Sequence, residues 1–223
     1  LQSAWHKWTL GNTTDTKILN ADFIETDLYL VVERSDGVHI VKMQTAPAVV
    51  DTDSTYLTHL DMKVNESSTG LSTSYNAGTN QTTITLPYDI DDTMQVVTRN
   101  VNANSTIAGQ IIPIISTGSN SIVVSGDKTS TKFFVGEKYT FEYQFSQQYI
   151  QYGQAQSQTA VKEGRLQIRN WTITYDNTGH FRVEVTPKSR STVSETFTGA
   201  IVGVGTVNGI NLEDGDYTFP IMS

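Results

Sequence analysis

The sequence predicts an all-β chain on three observations. Helical periodicity is almost absent along its 223 residues, while β-branched and aromatic residues are abundant. Short alternating runs recur at fairly even spacing, separated by Asn, Ser, Gly and Pro. There is no exact internal repeat. That spacing argues for a sandwich or an open barrel.

Residues 28–43, LYLVVERSDGVHIVKM, set Leu28, Leu30 and Val32 against Tyr29, Val31 and Glu33. Ser35-Asp36-Gly37 then turns the chain back into a second strand, a hairpin. Residues 46–55, with Pro47, Asp51 and Asp53, read as a linker and a domain boundary. Beyond it, strands are predicted at residues 56–64, 70–75, 82–86, 94–98, 110–115 and 121–124. Asn76-Ala77-Gly78 turns the second of these, and Pro87 stops the third. Residues 100–105 and 116–121 are polar connections.

Tyr139, Phe141, Tyr143 and Phe145 alternate with Thr140, Glu142 and Gln144, the clearest amphipathic strand pattern in the chain. Residues 147–158 are glutamine-rich and read as a loop or one short helix. Residues 164–185, GRLQIRNWTITYDNTGHFRVEV, read as one long hairpin. A phase change at Asn170 implies a bulge, and Asp176-Asn177-Thr178-Gly179 supplies the turn. Gly199, Gly203 and Gly205 imply close backbone approach over residues 196–207.

Composition narrows the function. The net charge is −8 and only 15 residues are Lys or Arg, scattered along the chain, which disfavours nonspecific nucleic-acid binding. The absence of cysteine excludes disulfides, thiolate metal sites and a Cys nucleophile. No apolar run is long enough for a membrane span. The chain opens on Leu1 and Gln2, with Trp5 and Trp8 close behind, and reads as a segment of a longer protein.

Catalytic and metal chemistry finds little purchase. His6, His39, His59 and His180 lack zinc-ligand spacing, and His39 and His180 read as solvated imidazoles on polar strand faces. Asp89-Ile90-Asp91-Asp92 and Asp51-Thr52-Asp53 resemble calcium-ligand runs but do not continue as an EF-hand loop. Residues 213–216 read as a turn. Acid pairs such as Asp61 with Glu142 are too numerous to single out a glycosidase. There is no Gly-x-Ser-x-Gly elbow and no phosphate-binding glycine loop. Trp5, Trp8 and Trp171 suit a sugar platform less well than a core. Asn-x-Ser/Thr triplets at Asn12, Asn65, Asn80, Asn104 and Asn170 are expected by chance in a Thr-rich chain. The expectation is no catalytic residue, no metal and no cofactor.

Several segments carry a resemblance. Residues 164–185 resemble the C-terminal part of the tail tubular protein B, or nozzle, family of T7-like short-tailed phages. In the same order as in that family come QSAWHKW with Leu10-Gly11, the hairpin at 28–43, LDMKV at 60–64, GEKYTFEYQF at 136–145 and GDYTFP at 215–220. The matches spread from Trp5 to Pro220.

The resemblance implies a structural virion protein of the tail. It implies a homohexameric tube below the adaptor ring, with tail fibres and the host envelope as further partners and phage DNA in transit. It also implies a β-propeller-like domain closed by strands in residues 1–45 and a platform-like sandwich or barrel in residues 56–223. Two other readings fit the composition: an extracellular carbohydrate-binding or adhesin β-sandwich, and a hydrolase of surface polysaccharide.

Overall fold

The structure is a computed structural model. It describes residue 10 and residues 16–43, 58–99, 109–145, 149–153, 159–161, 167–187, 190–199 and 212–221. The linker at 46–55 lies outside the described residues. The chain divides into two compact units, Leu1–Thr140 and Phe141–Ser223. The described residues are all-β, in six small antiparallel sheets; among them neither a propeller nor a barrel is formed.

The first unit opens with β1 (Lys17–Ile24), β2 (Asp27–Arg34) and β3 (Gly37–Met43), paired in that order. The hairpin of β2 and β3 is the predicted one, with Arg34 opposite Gly37 across Ser35-Asp36. β1 was not foreseen, because KILNADFI shows no clean alternation. Glu25, at φ 57, makes the turn from β1 into β2.

Eight further strands follow: β4 (Asp61–Asn65), β5 (Ser72–Asn76), β6 (Gln81–Thr85), β7 (Met94–Thr98), β8 (Ile111–Ile112), β9 (Ile114–Thr117), β10 (Ser121–Ser125) and β11 (Phe133–Glu137). They form two four-stranded sheets, β5-β6-β10-β9 and β4-β11-β7-β8. One core joins the two layers: Ile84, Leu86, Ile122 and Val124 from the first meet Met94, Val96, Ile112, Phe133 and Val135 from the second. Fully burying each such side chain contributes about 1.5–3 kcal/mol.

Two expectations fail here for physical reasons. The strand predicted at 110–115 is split by Pro113, which has no N–H for a ladder, and its halves join different sheets. The aromatic run at 139–145 is not a strand, and Phe141 is 81% exposed. The strand lies just upstream instead, at β11. Its run FFV is buried on both faces, so it shows no alternation to read. Gly136 is required within it: a Cβ there would sit 2.7 Å from the Asp61 carbonyl oxygen and 2.9 Å from the Leu60 Cβ.

The second unit holds β12 (Ile150–Tyr152), β13 (Thr159–Val161), β14 (Asn170–Thr178), β15 (His180–Val185), β16 (Val193–Thr198) and β17 (Glu213–Pro220). β12 pairs with β13, so residues 150–152 are neither loop nor helix. The long hairpin expected at 164–185 is also corrected: β14 pairs with β17, and β15 pairs with β16. The bulge lies between Tyr175 and Thr178 rather than at Asn170, and Asn177 takes its left-handed φ of 46 there. This bend, followed by Gly179, carries the chain from one ribbon to the other instead of folding it back on itself. Residues 213–216, read as a turn, open β17.

Candidate functional site

Among the described residues the densest polar constellation surrounds Arg34. The side chain lies on the face of β2 that also carries Leu30 and Val32, all three buried. Its Nη1 donates to Glu137 Oε2 at 3.0 Å, and its Nη2 donates to Glu137 Oε1 and, at 3.4 Å, to the Asp89 carbonyl oxygen. Asp91 Oδ2 stands 3.2 Å from Nη2. The guanidinium and the Glu137 carboxylate are each 2% exposed. The Arg34 carbon between the nitrogens lies 5.9 Å from the centre of the Tyr88 ring.

The adjoining turn adds a second layer of bonds. The Asp36 carboxylate accepts from the Asp89 backbone N–H at 2.8 Å and pairs with His39 Nε2 at 2.8 Å. Ser35 Oγ donates to Asp91. Burial works against the Arg34 charge, but the bond to Glu137 and the fields of Glu137, Asp91 and Asp36 outweigh it, so its pKa is raised. Burial would raise the Asp36 pKa; the Asp89 N–H and His39 more than offset it and hold the carboxyl below the usual range. Burial, with the Glu137 carboxylate, pushes the Tyr88 phenol up. It remains a proton donor, bonded to the Met62 carbonyl at 2.7 Å.

This cluster is a joint rather than a reaction centre. Both Glu137 oxygens are held by Arg34, so neither is placed to take a proton from a substrate. The Asp89–Asp92 run shows the same economy of contacts: Arg34 and Ser35 engage Asp91, and Asp92 accepts from the Thr93 N–H at 2.6 Å. Among the described residues no group of three or more His, Asp or Glu could hold a metal ion.

The remaining candidates fall elsewhere. His59 and His180 are exposed, while His39 is drawn to Asp36 rather than to solvent alone. Asp61 belongs to β4 in the first unit and Glu142 to the second. Trp171 packs at 5.5 Å from Phe145 and lies opposite Phe219 in the ladder. Trp5, Trp8, His6, Asp51 and Asp53 lie outside the described residues, as do Gly203 and Gly205. Gly199 is buried, and its N–H reaches the Gly179 carbonyl at 2.8 Å, the close approach expected there.

One pair of carboxylates escaped sequence reasoning. Asp176 and Asp214 share a hydrogen bond across the β14 bulge. The bond that Asp176 donates to Asp214, with the charge there, pushes Asp176 up; the Asn177 backbone N–H, with that same bond, holds Asp214 down. Their separation of 38 positions in the chain hid them, since only the β14–β17 pairing brings them together. Both are exposed, and Asp214 pins the bulge by accepting the 2.7 Å bond from the Asn177 N–H.

That ladder also pairs two of the segments behind the resemblance. Residues 170–175 of β14 run against 215–220 of β17, Trp171 opposite Phe219 and Ile173 opposite Tyr217. The model of the bacteriophage nozzle protein family matches residues 1–223. The chain belongs to that family. It is therefore a component of the virion tail. It is 25% identical over 229 residues to the tail tubular protein gp12 of Escherichia phage T7. The match covers 99% of this chain and 28% of that relative, so the chain spans under a third of the relative's length. Nozzle proteins are structural, and among this chain's described residues the buried Arg34 and Glu137 are tied to each other and Arg99 to Glu66.

Proposed function

We propose that this chain is part of a subunit of the short tail nozzle, the tube through which phage DNA is ejected into the host. The observation that carries the reading is the family match over all 223 residues. In this reading the full-length chain is a homohexamer, seated on the tail adaptor ring, bound by tail fibres and facing the host envelope. It is not an enzyme and carries no cofactor. Residues 1–45 supply closing strands to a propeller-like domain, 46–55 link, and 56–223 supply a platform-like β domain.

The charge supports passage over capture. With a net charge of −8, the chain offers DNA phosphates little to hold them, as a channel needs. The test is a phage whose corresponding reading frame is deleted. The expected particles package DNA but lack the nozzle and do not eject; tails of normal shape would overturn the reading. Replacing exposed acids with lysine on a lumen-facing surface should then slow genome release. Unchanged ejection kinetics across such a series would remove the electrostatic part of the proposal.

A further inference from the structure

The β1–β3 sheet and the β4–β11 sandwich lie in one unit, yet among the described residues no strand of the one pairs with a strand of the other. Leu30 and Val32 are buried on the face of β2 that carries Arg34, but neither belongs to the core shared by the two sandwich layers. Three consecutive residues at the β2–β3 turn carry bonds from the sheet to the sandwich: Arg34, Ser35 and Asp36. They end on two anchors, the loop at residues 89–91 and Glu137 at the end of β11. The planar guanidinium is forked onto both Glu137 oxygens, and its Nη2 also reaches the Asp89 carbonyl and Asp91. Two anchors on one rigid plane fix an angle as well as a position.

This chemistry suits orientation better than adhesion. Taking an ion pair out of water costs much of what the attraction returns, and well-packed apolar side chains hold as firmly. Arg34 Nε is in addition buried without a hydrogen-bond partner among the described residues, a cost that adhesion alone would not call for. What charged, forked bonds supply and apolar contacts do not is direction.

We propose that residues 34–36 form a latch that sets the angle of the β1–β3 sheet on the sandwich. With the latch removed, the sheet turns on the connection to β4 while sheet and sandwich each stay folded. That connection includes residues 46–55, which read as a linker in the sequence, and hinges are commonly a few residues between elements. The latch is a property of this chain alone, whatever it assembles into.

The absence of cysteine lets nitroxide labels be placed one pair at a time. Ile40→Cys on β3 and Ser74→Cys on β5, both exposed, span the joint, and double electron–electron resonance reads their separation. Asn20→Cys with Ile40→Cys flank Val31 on the two outer strands of the sheet, two strand spacings or about 10 Å apart. That short pair, read by line broadening, reports whether the sheet is intact. With the joint in place the long distance is a single narrow peak; a broad distribution there overturns the latch. Arg34→Met with Glu137→Leu replaces the pair by apolar side chains. The expected result is a broad or two-peaked long distance, with the short distance and the melting temperature retained. The original narrow peak in that folded variant overturns the proposal, and so does loss of the short distance, which means that the sheet unfolds rather than turns. Should the variant fail to fold, Asp36→Ala with Asp91→Ala decides, since it leaves the Arg34–Glu137 pair in place. A displaced or broader peak there supports the latch, and an unchanged one overturns it.

Discussion

The core of the first unit is mainly aliphatic and fully enclosed, whereas that of the second is a stack of partly exposed rings. In the first, Ile84, Val96, Ile122, Val124, Phe133 and Val135 are completely shielded between two sheets. In the second, Tyr175, Phe181, Phe197 and Tyr217 meet at centroid distances of 4.7–5.7 Å across two two-stranded ribbons, and only Phe219 and Ile221 are buried apolar side chains among the described residues. The difference follows from strand number. A two-stranded ribbon cannot cover a core, so it relies on wide aromatic faces whose pairing adds about 0.5–1.5 kcal/mol beyond burial. Two four-stranded layers enclose a core made mostly of Ile and Val, with Phe133 among them.

The strongest way to break this comparison is at the buried ion pair. Arg34→Met should destabilise the first unit by about 3–5 kcal/mol, because the Glu137 carboxylate is left buried without its partner. The double change Arg34→Met with Glu137→Leu should recover most of that loss. Urea unfolding checks both. With Trp5 and Trp8 replaced by Phe, Trp171 emission reports the second unit separately. A shift of its midpoint by Arg34→Met would show that the two units do not unfold independently.

Next comes a matched pair of core truncations. Ile84→Ala should cost about 2–5 kcal/mol, as expected of a fully enclosed aliphatic side chain. Phe197→Ala should cost only about 2 kcal/mol despite removing more atoms, since its ring already meets solvent. Equal losses by denaturant unfolding would erase the distinction between the two cores. Gly136→Ala sharpens it further. The added methyl has backbone on one side and Leu60 on the other, and the expected loss is about 1–3 kcal/mol in a layer with no room to relax.

The smallest effect is the most specific. Asp36 has a folded pKa below its ordinary value, so its contribution is present above about 3.8 and disappears as pH falls through the lower folded value. Asp36→Asn should therefore weaken the chain by less than about 1 kcal/mol at pH 7, and the variant and wild type should converge in stronger acid. A difference that persists unchanged at low pH would mean that His39 and the Asp89 N–H do not act through the carboxylate charge.

Legibility in the sequence followed how a strand is buried. The β2–β3 hairpin was plain because its polar and apolar residues alternate around a Ser-Asp-Gly turn. β11 was invisible for the opposite reason: both of its faces are buried, so FFVGE has no alternation, whereas the aromatic run at 139–145 has one. That run has the right pattern and no partner strand among the described residues. Of the Arg34 joint, only Asp91 stood out in the sequence, within an aspartate run; Arg34 lay unmarked between Glu33 and the Ser-Asp-Gly turn. Their meeting with Glu137 spans 103 positions, and no local pattern records such a distance.

By itself the sequence determined that this protein is built of β-strands, carries an excess of negative charge and bears the ordered motifs of a nozzle protein. Those properties are local or additive: side-chain alternation, residue counts and short runs in a fixed order. Tertiary structure alone decided that residues 170–178 pair with 213–220 rather than with the strand that follows them, that Pro113 divides one run between two sheets, and that Arg34 meets Glu137 across 103 positions. Each depends on which distant backbone satisfies a strand's hydrogen bonds, and any extended segment can in principle satisfy them. The choice is made by bulges, by glycine at the crossing point and by which faces must be kept from water.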